Sequence, residues 1–115
     1  MDIEALRKFC LSLPGVTEDV KWGNDLCFLV GEKMFCVTGL EGSLSASFKV
    51  QDEEFEEMTA REGIVPAPYM ARNHWVLVQE ENALSDKEWK HYVKQSYGLV
   101  FGKLTKKLQN QISGK

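Results

Sequence analysis

The sequence predicts an α+β fold: an antiparallel sheet covered on one face by N- and C-terminal helices. Three observations carry that prediction. Apolar residues recur at helical spacing near both ends of the chain, and short runs of β-forming residues joined by glycine-bearing turns lie between them. The resulting order of helix, run of strands, helix, strand, helix is that of an α+β layer structure.

Each element has a local cause. Asp2 is placed to cap a first helix, along which Ile3, Leu6, Phe9, Cys10 and Leu13 share a face until Pro14-Gly15 stops it. Val16 to Trp22 is polar and weakly patterned, as suits a short edge strand, and Gly23-Asn24 forms the next turn. Leu26 to Val30 and Lys33 to Val37 are two apolar runs separated by Gly31-Glu32, a two-residue hairpin signal in which glycine supplies the positive φ of a II′ turn. That turn implies a register with Val30 opposite Lys33, Phe28 opposite Phe35 and Cys27 opposite Cys36, which would set two thiols side by side, as small buried hydrophobes in the favoured reading and as a redox-sensitive cross-strand pair in the alternative.

Leu44 to Val50 alternates cleanly, with Leu44, Ala46, Phe48 and Val50 inward and Ser45, Ser47 and Lys49 outward. Asp52 is then expected to cap an acidic helix anchored by Phe55 and Met58 and ended by Gly63. The stretch Ile64 to Val78 runs from a proline-stiffened turn through a polar crossing into a strand, His74 to Gln79. Ser85 or Asp86 starts the last helix, whose apolar face takes Trp89, Tyr92, Val93, Tyr97, Val100, Phe101, Leu104 and Leu108, and which Gly98 and Gly102 loosen or break.

Composition narrows the function classes. With 115 residues, 43% hydrophobic and 27% charged, the chain reads as one domain over 1–115. No basic leader or run of roughly 20 apolar residues occurs, so a cytoplasmic protein without a membrane partner is expected. Three cysteines without a C-x-x-C pair point to reduced thiols, with no disulfide framework and no metal site. A net charge of -3 conceals segregation: Gln51 to Glu62 carries six acids and one arginine, whereas Lys103 to Lys115 carries four lysines and no acid. A generic polyanion binder is normally basic overall, so any nucleic-acid contact must come from a local patch.

The segments Leu13 to Gly23 (L-P-G-V-T-E-D-V-K-W-G), Gly31 to Phe35 (G-E-K-M-F), Ser47 to Val50 (S-F-K-V), Pro66 to Met70 (P-A-P-Y-M), Asn73 to Trp75 (N-H-W) and Gln95 to Tyr97 (Q-S-Y) together resemble the MmcQ/YjbR-like family of small bacterial proteins. The match runs in order over nearly the whole chain. The resemblance implies a frataxin-like (CyaY-like) fold and DNA binding through a double-wing motif of sheet hairpins, and it brings no catalytic residues with it. Frataxin's acidic ridge does not carry over, because the acidic helix here follows the strands.

The residues with binding chemistry are Tyr69, Arg72, Asn73, His74 and Trp75, joined by Lys33 and Lys49 on the outward sheet face. Aromatic rings stack on flat partners and cations pair with phosphate or carboxylate. Against this, Trp75 is the kind of large aromatic that fills cores, and Trp22 reads as a sheet-edge packer. Catalysis lacks a scaffold in the sequence: His91 and Ser96 are five positions apart on one helix, about 140° around it, and neither His74 nor His91 has a spaced nucleophile. The sequence thus gives a non-enzymatic binding module without cofactor, a monomer or weak dimer. DNA is the first candidate partner, and a protein or small ligand on the same surface is the alternative.

Overall fold

The computed structural model describes residues 1–68 and 70–114. Among these the chain forms α1 (Ile3–Leu11), β1 (Val16–Lys21), β2 (Asp25–Val30), β3 (Lys33–Gly39), β4 (Ala46–Lys49), α2 (Asp52–Thr59), β5 (Ile64–Pro66), β6 (Trp75–Val78), α3 (Asp86–Phe101) and α4 (Lys106–Ile112). The strands make one antiparallel sheet in the order β1-β2-β3-β4-β6-β5. The buried residues of α1 (Leu6, Cys10), α2 (Met58) and α3 (Trp89, Val93) meet Leu26, Phe28, Val30, Phe48, Val76 and Val78 in a single core. All of these strand residues lie on one face of the sheet, so the expected one-sided helical cover is present.

The caps follow sequence logic with one displacement. Asp2 accepts from the Ala5 N–H at 2.8 Å, and Ser85 and Glu88 form a reciprocal capping box at the start of α3. For α2 the cap is Gln51, not Asp52, because the Glu54 carboxylate accepts from the Gln51 N–H at 3.1 Å. Asp52 is left free to approach His74, whose Nδ1 lies 2.8 Å from its Oδ1. The long C-terminal apolar pattern divides at Gly102, and α4 restarts on Thr105, which accepts from the Leu108 N–H.

The β2-β3 hairpin departs from the expected register. Gly31 and Glu32 both have positive φ, 56° and 67°, which makes the turn type I′ in place of II′. Val30 still pairs with Lys33, but one residue beyond Met34 the ladder slips, so Phe28 pairs with Cys36 and Cys27 with Val37. Such a bulge adds one residue to one strand and is invisible to counting back from a turn. Here both Phe35 and Cys36 are turned into the core. Cys27 lies on the opposite face, so the expected Cys27–Cys36 pair does not exist. Cys36 neighbours Cys10 of α1 instead, and that contact together with burial pushes its thiol well above the ordinary value.

The bulge has a partner across the layers. The Ser96 hydroxyl of α3 donates to the Phe35 carbonyl at 2.6 Å and accepts from the Lys49 N–H at 2.9 Å, closing β3 and β4 where they splay apart. Ser96 is fully buried, and Tyr97 sets its ring edge-on to Phe35 at 5.5 Å. The Q-S-Y segment is therefore a clamp between helix and sheet.

β5 is a strand absent from the sequence reading. Ile64 pairs with Val78 and Pro66 with Val76, and the proline sits on an edge strand where its missing N–H leaves no ladder bond unmade.

Candidate functional site

The face of the sheet away from the helices carries Cys27 and Leu29 from β2, Met34 and Val37 from β3, Ser47 and Lys49 from β4, and Trp75 and Leu77 from β6, alternating with core residues except at the bulge, where Phe35 and Cys36 both separate Met34 from Val37. It is bordered by two irregular segments. One is the turn after β1, where Trp22 adopts a left-handed φ of 54° and stays 70% exposed, so the expected edge packing does not occur. The other, Ala67 to His74, folds back through a single 3-10 turn at Ala71–Asn73 and is tied down by the Ala67 N–H donating to the Trp75 carbonyl.

Two adjoining recesses lie between these borders, and they share Met34 and Met70. The first, of about 500 Å³, is lined by Trp22, Asp25, Val37, Ser47, Ala67 and Pro68. The second, of about 420 Å³, is lined by Lys33, Lys49, Asn73, Trp75, Val100, Lys103 and Leu104. Both are of the size that takes small organic ligands, and methionine walls adapt readily to different shapes.

The electrostatics separate the two recesses. Three lysines line the second and no carboxylate does. Among the described residues none of the three has an acidic partner within ion-pair distance. The Lys49 ammonium donates to the Asn73 carbonyl at 2.6 Å. Its pKa is pushed below the ordinary value, first by loss of water around it and then by Lys103, against a smaller opposing pull from Asp52. A cation held near another cation with its hydration thinned is stabilised by an incoming anion, because each negative oxygen restores what burial removed.

Lys103 reaches this site through packing. Gly102 ends α3, and Leu104 then folds onto the Gly31 turn so closely that a Cβ at Gly31 would lie 2.7 Å from Leu104 Cδ1. That contact carries Lys103 to the β2-β3 turn beside Lys33. The sequence showed Lys103 only as part of a basic tail, and the break at Gly102 was its sole cue.

The expected site residues divide accordingly. Lys33, Lys49, Asn73 and Trp75 are brought together, with Trp75 as a floor only 5% exposed. Arg72 is exposed and lies outside both linings. His74 points away, to Asp52 and to the Phe55 ring at 5.4 Å. Tyr69 lies outside the described residues. Trp22, Met34, Met70 and Lys103 are added. Among the described residues no group of three or more His, Cys, Asp or Glu side chains is placed to hold a metal, and no helix is long and apolar enough to cross a membrane.

A family model described as YjbR matches residues 11–99. The crystal structure of Deinococcus radiodurans protein DR2400, which carries a DUF419 domain, is similar with a TM-score of 0.88 and 26% identity, over 97% of this chain and 88% of that one. A Pseudomonas syringae protein, structural genomics target PsR293, shares the fold with a TM-score of 0.70 and 22% identity, over 86% of this chain and 98% of that one. No curated protein matches the chain.

Proposed function

This chain belongs to the YjbR family, whose model spans residues 11–99, and we propose that it serves as a non-enzymatic binding module that takes a small anion with an apolar body into the cleft of its open sheet face. The observation that carries this reading is the group Lys33, Lys49 and Lys103 around a recess without a carboxylate, continuous through Met34 and Met70 with an apolar recess. The anionic end sits among the amines and the apolar body lies along Met34, Val37 and Pro68. The net charge of -3 and the acidic α2 favour a compact anion over a long polyanion.

Nucleic acid is the second reading, and Trp22 is what favours it. A ring 70% exposed at one end of the face, with three lysines at the other, is the stacking-plus-cation combination used on single strands.

One titration series separates the two. Amide shifts are followed by NMR with octyl phosphate, a nucleoside monophosphate and a short single-stranded DNA as probes. Perturbation at Met34, Met70 and Lys49 by octyl phosphate, weakened about tenfold by Lys49→Ala with Lys103→Ala, supports the small-anion reading. Binding confined to DNA, falling steeply with salt, supports the second. No perturbation of the cleft by any probe at low salt rules out both.

A further inference from the structure

We propose that the outer edge of β1 is a self-association surface, where two copies of this chain pair antiparallel about Val20 and join their sheets into one of twelve strands, six from each copy. β1 ends the sheet and is paired with β2 alone. Among the described residues no further backbone hydrogen bond reaches Thr17 to Lys21, so alternate N–H and C=O groups along the strand face outward unpaired. Such a row accepts another strand unless something blocks it.

The opposite edge is blocked. β5 is three residues long, ends in Pro66 and has α2 packed beside it. β1 is less protected: α1 packs against it and Arg7 reaches Glu18, but it runs six residues without proline and its ladder with β2 is regular.

Charge then selects the register. In a pair related by a two-fold axis perpendicular to the sheet, directly opposed residues share a face, so the axis passes through a residue position. Centring on Glu18 or on Asp19 sets a carboxylate against its own copy. Centring on Val20 sets Val20 against Val20 and Asp19 against Lys21 twice, once on each side of the axis. Glu18 is already bound to Arg7 at 2.7 Å within its own chain and needs no partner across the edge. The centre is apolar and uncovered: Val20 is 52% exposed and Leu40, beside it in the same shallow recess, 40%. In this arrangement the two open sheet faces lie on one side of the pair, so both clefts face the same way. The inference rests on the strand edge and is independent of what the cleft binds.

Sedimentation velocity of the full chain over a concentration series tests it. The mass is expected to rise from 13.1 kDa toward twice that value, with hydrogen-exchange protection gained within Asp19 to Lys21, the residues this register pairs. Asp19→Lys places like charges opposite each other at both flanks and raises the dimer Kd about tenfold, and adding Lys21→Asp restores it. Circular dichroism reports folding of each variant. A chain that stays at 13.1 kDa into the millimolar range overturns the proposal. So does a dimer indifferent to Asp19→Lys, one not restored by the double swap, or one whose protected amides lie elsewhere.

Discussion

The two faces of the sheet are built from the same strands, yet they obey different rules. On the helix side Phe28, Phe48, Val76 and Val78 are fully buried against Trp89 and Val93, and the Trp89 indole N–H is satisfied by the Glu81 carbonyl at 2.8 Å. On the other side Met34, Val37, Ser47 and Lys49 are half-buried, and the neighbours that shape their surface come from turns and from the last turn of α3 at Val100. A face closed by helices gains stability from filled volume. A face bordered mainly by turns keeps space for a ligand and leaves its charges partly unsatisfied.

If that contrast is right, substitutions on the two faces should act on different observables. The largest effect belongs to the helix side: Phe48→Ala removes a ring packed on Trp89 and Tyr92 at 6.2 Å and should cost about 3–5 kcal/mol in chemical denaturation. A cost below 1 kcal/mol would show that the closed face is not the main source of stability.

Ser96→Ala tests the hydroxyl that ties α3 to both β3 and β4. It strands the Phe35 carbonyl and the Lys49 N–H and should cost about 1–3 kcal/mol, with sharpened hydrogen exchange at Lys49. Because Lys49 also lines the cleft, anion affinity should fall with it, and intact affinity would show that the faces are uncoupled.

Acid should loosen the closed face before the open one. Glu88 is held down at about 2, from an ordinary 4.5, chiefly by its hydrogen bonds to Arg61 at the end of α2. A depressed carboxylate contributes stability that is present above pH 4.5 and lost as pH falls from 4.5 toward 2. More than a third of the pair is exposed, so screening limits the contribution to about 0.5–1 kcal/mol. Glu88→Gln should flatten that part of the stability-versus-pH curve, and an unchanged acid limb would remove this pair from the account.

The smallest change in stability is expected on the open face, where Lys103→Ala should stay within about 0.5 kcal/mol of the parent. It should raise the Lys49 pKa, since Lys103 is the second cause of its depression, and weaken anion binding. A Lys49 titration by NMR that does not move would separate the two lysines.

The comparison explains which parts were legible in the sequence. Leu44 to Val50 could be assigned because its alternation repeats every two residues, and the structure keeps that alternation of burial throughout. The site was legible only in fragments. Lys33, Lys49, Asn73 and Trp75 were recognisable as residue types, but Arg72 and His74 are their neighbours in sequence and face elsewhere, because the left-handed His74, at φ 61°, turns its ring toward Asp52.

What the sequence determined alone was what has a local period or a short-range signal: α1 from Asp2, the start of α3 to within one residue at Ser85, the place of the β2-β3 turn at Gly31-Glu32 and the one-sided apolar strands. The tertiary structure decided the bulge at Phe35, the parting of Cys27 from Cys36, the strand at Ile64–Pro66 and the arrival of Lys103 beside Lys33 and Lys49. Periodicity and capping are written over three or four consecutive residues. A bulge or a cluster of amines is fixed by contacts such as Ser96 on Phe35 and Leu104 on Gly31, between residues 61 and 73 positions apart, and no local pattern encodes these.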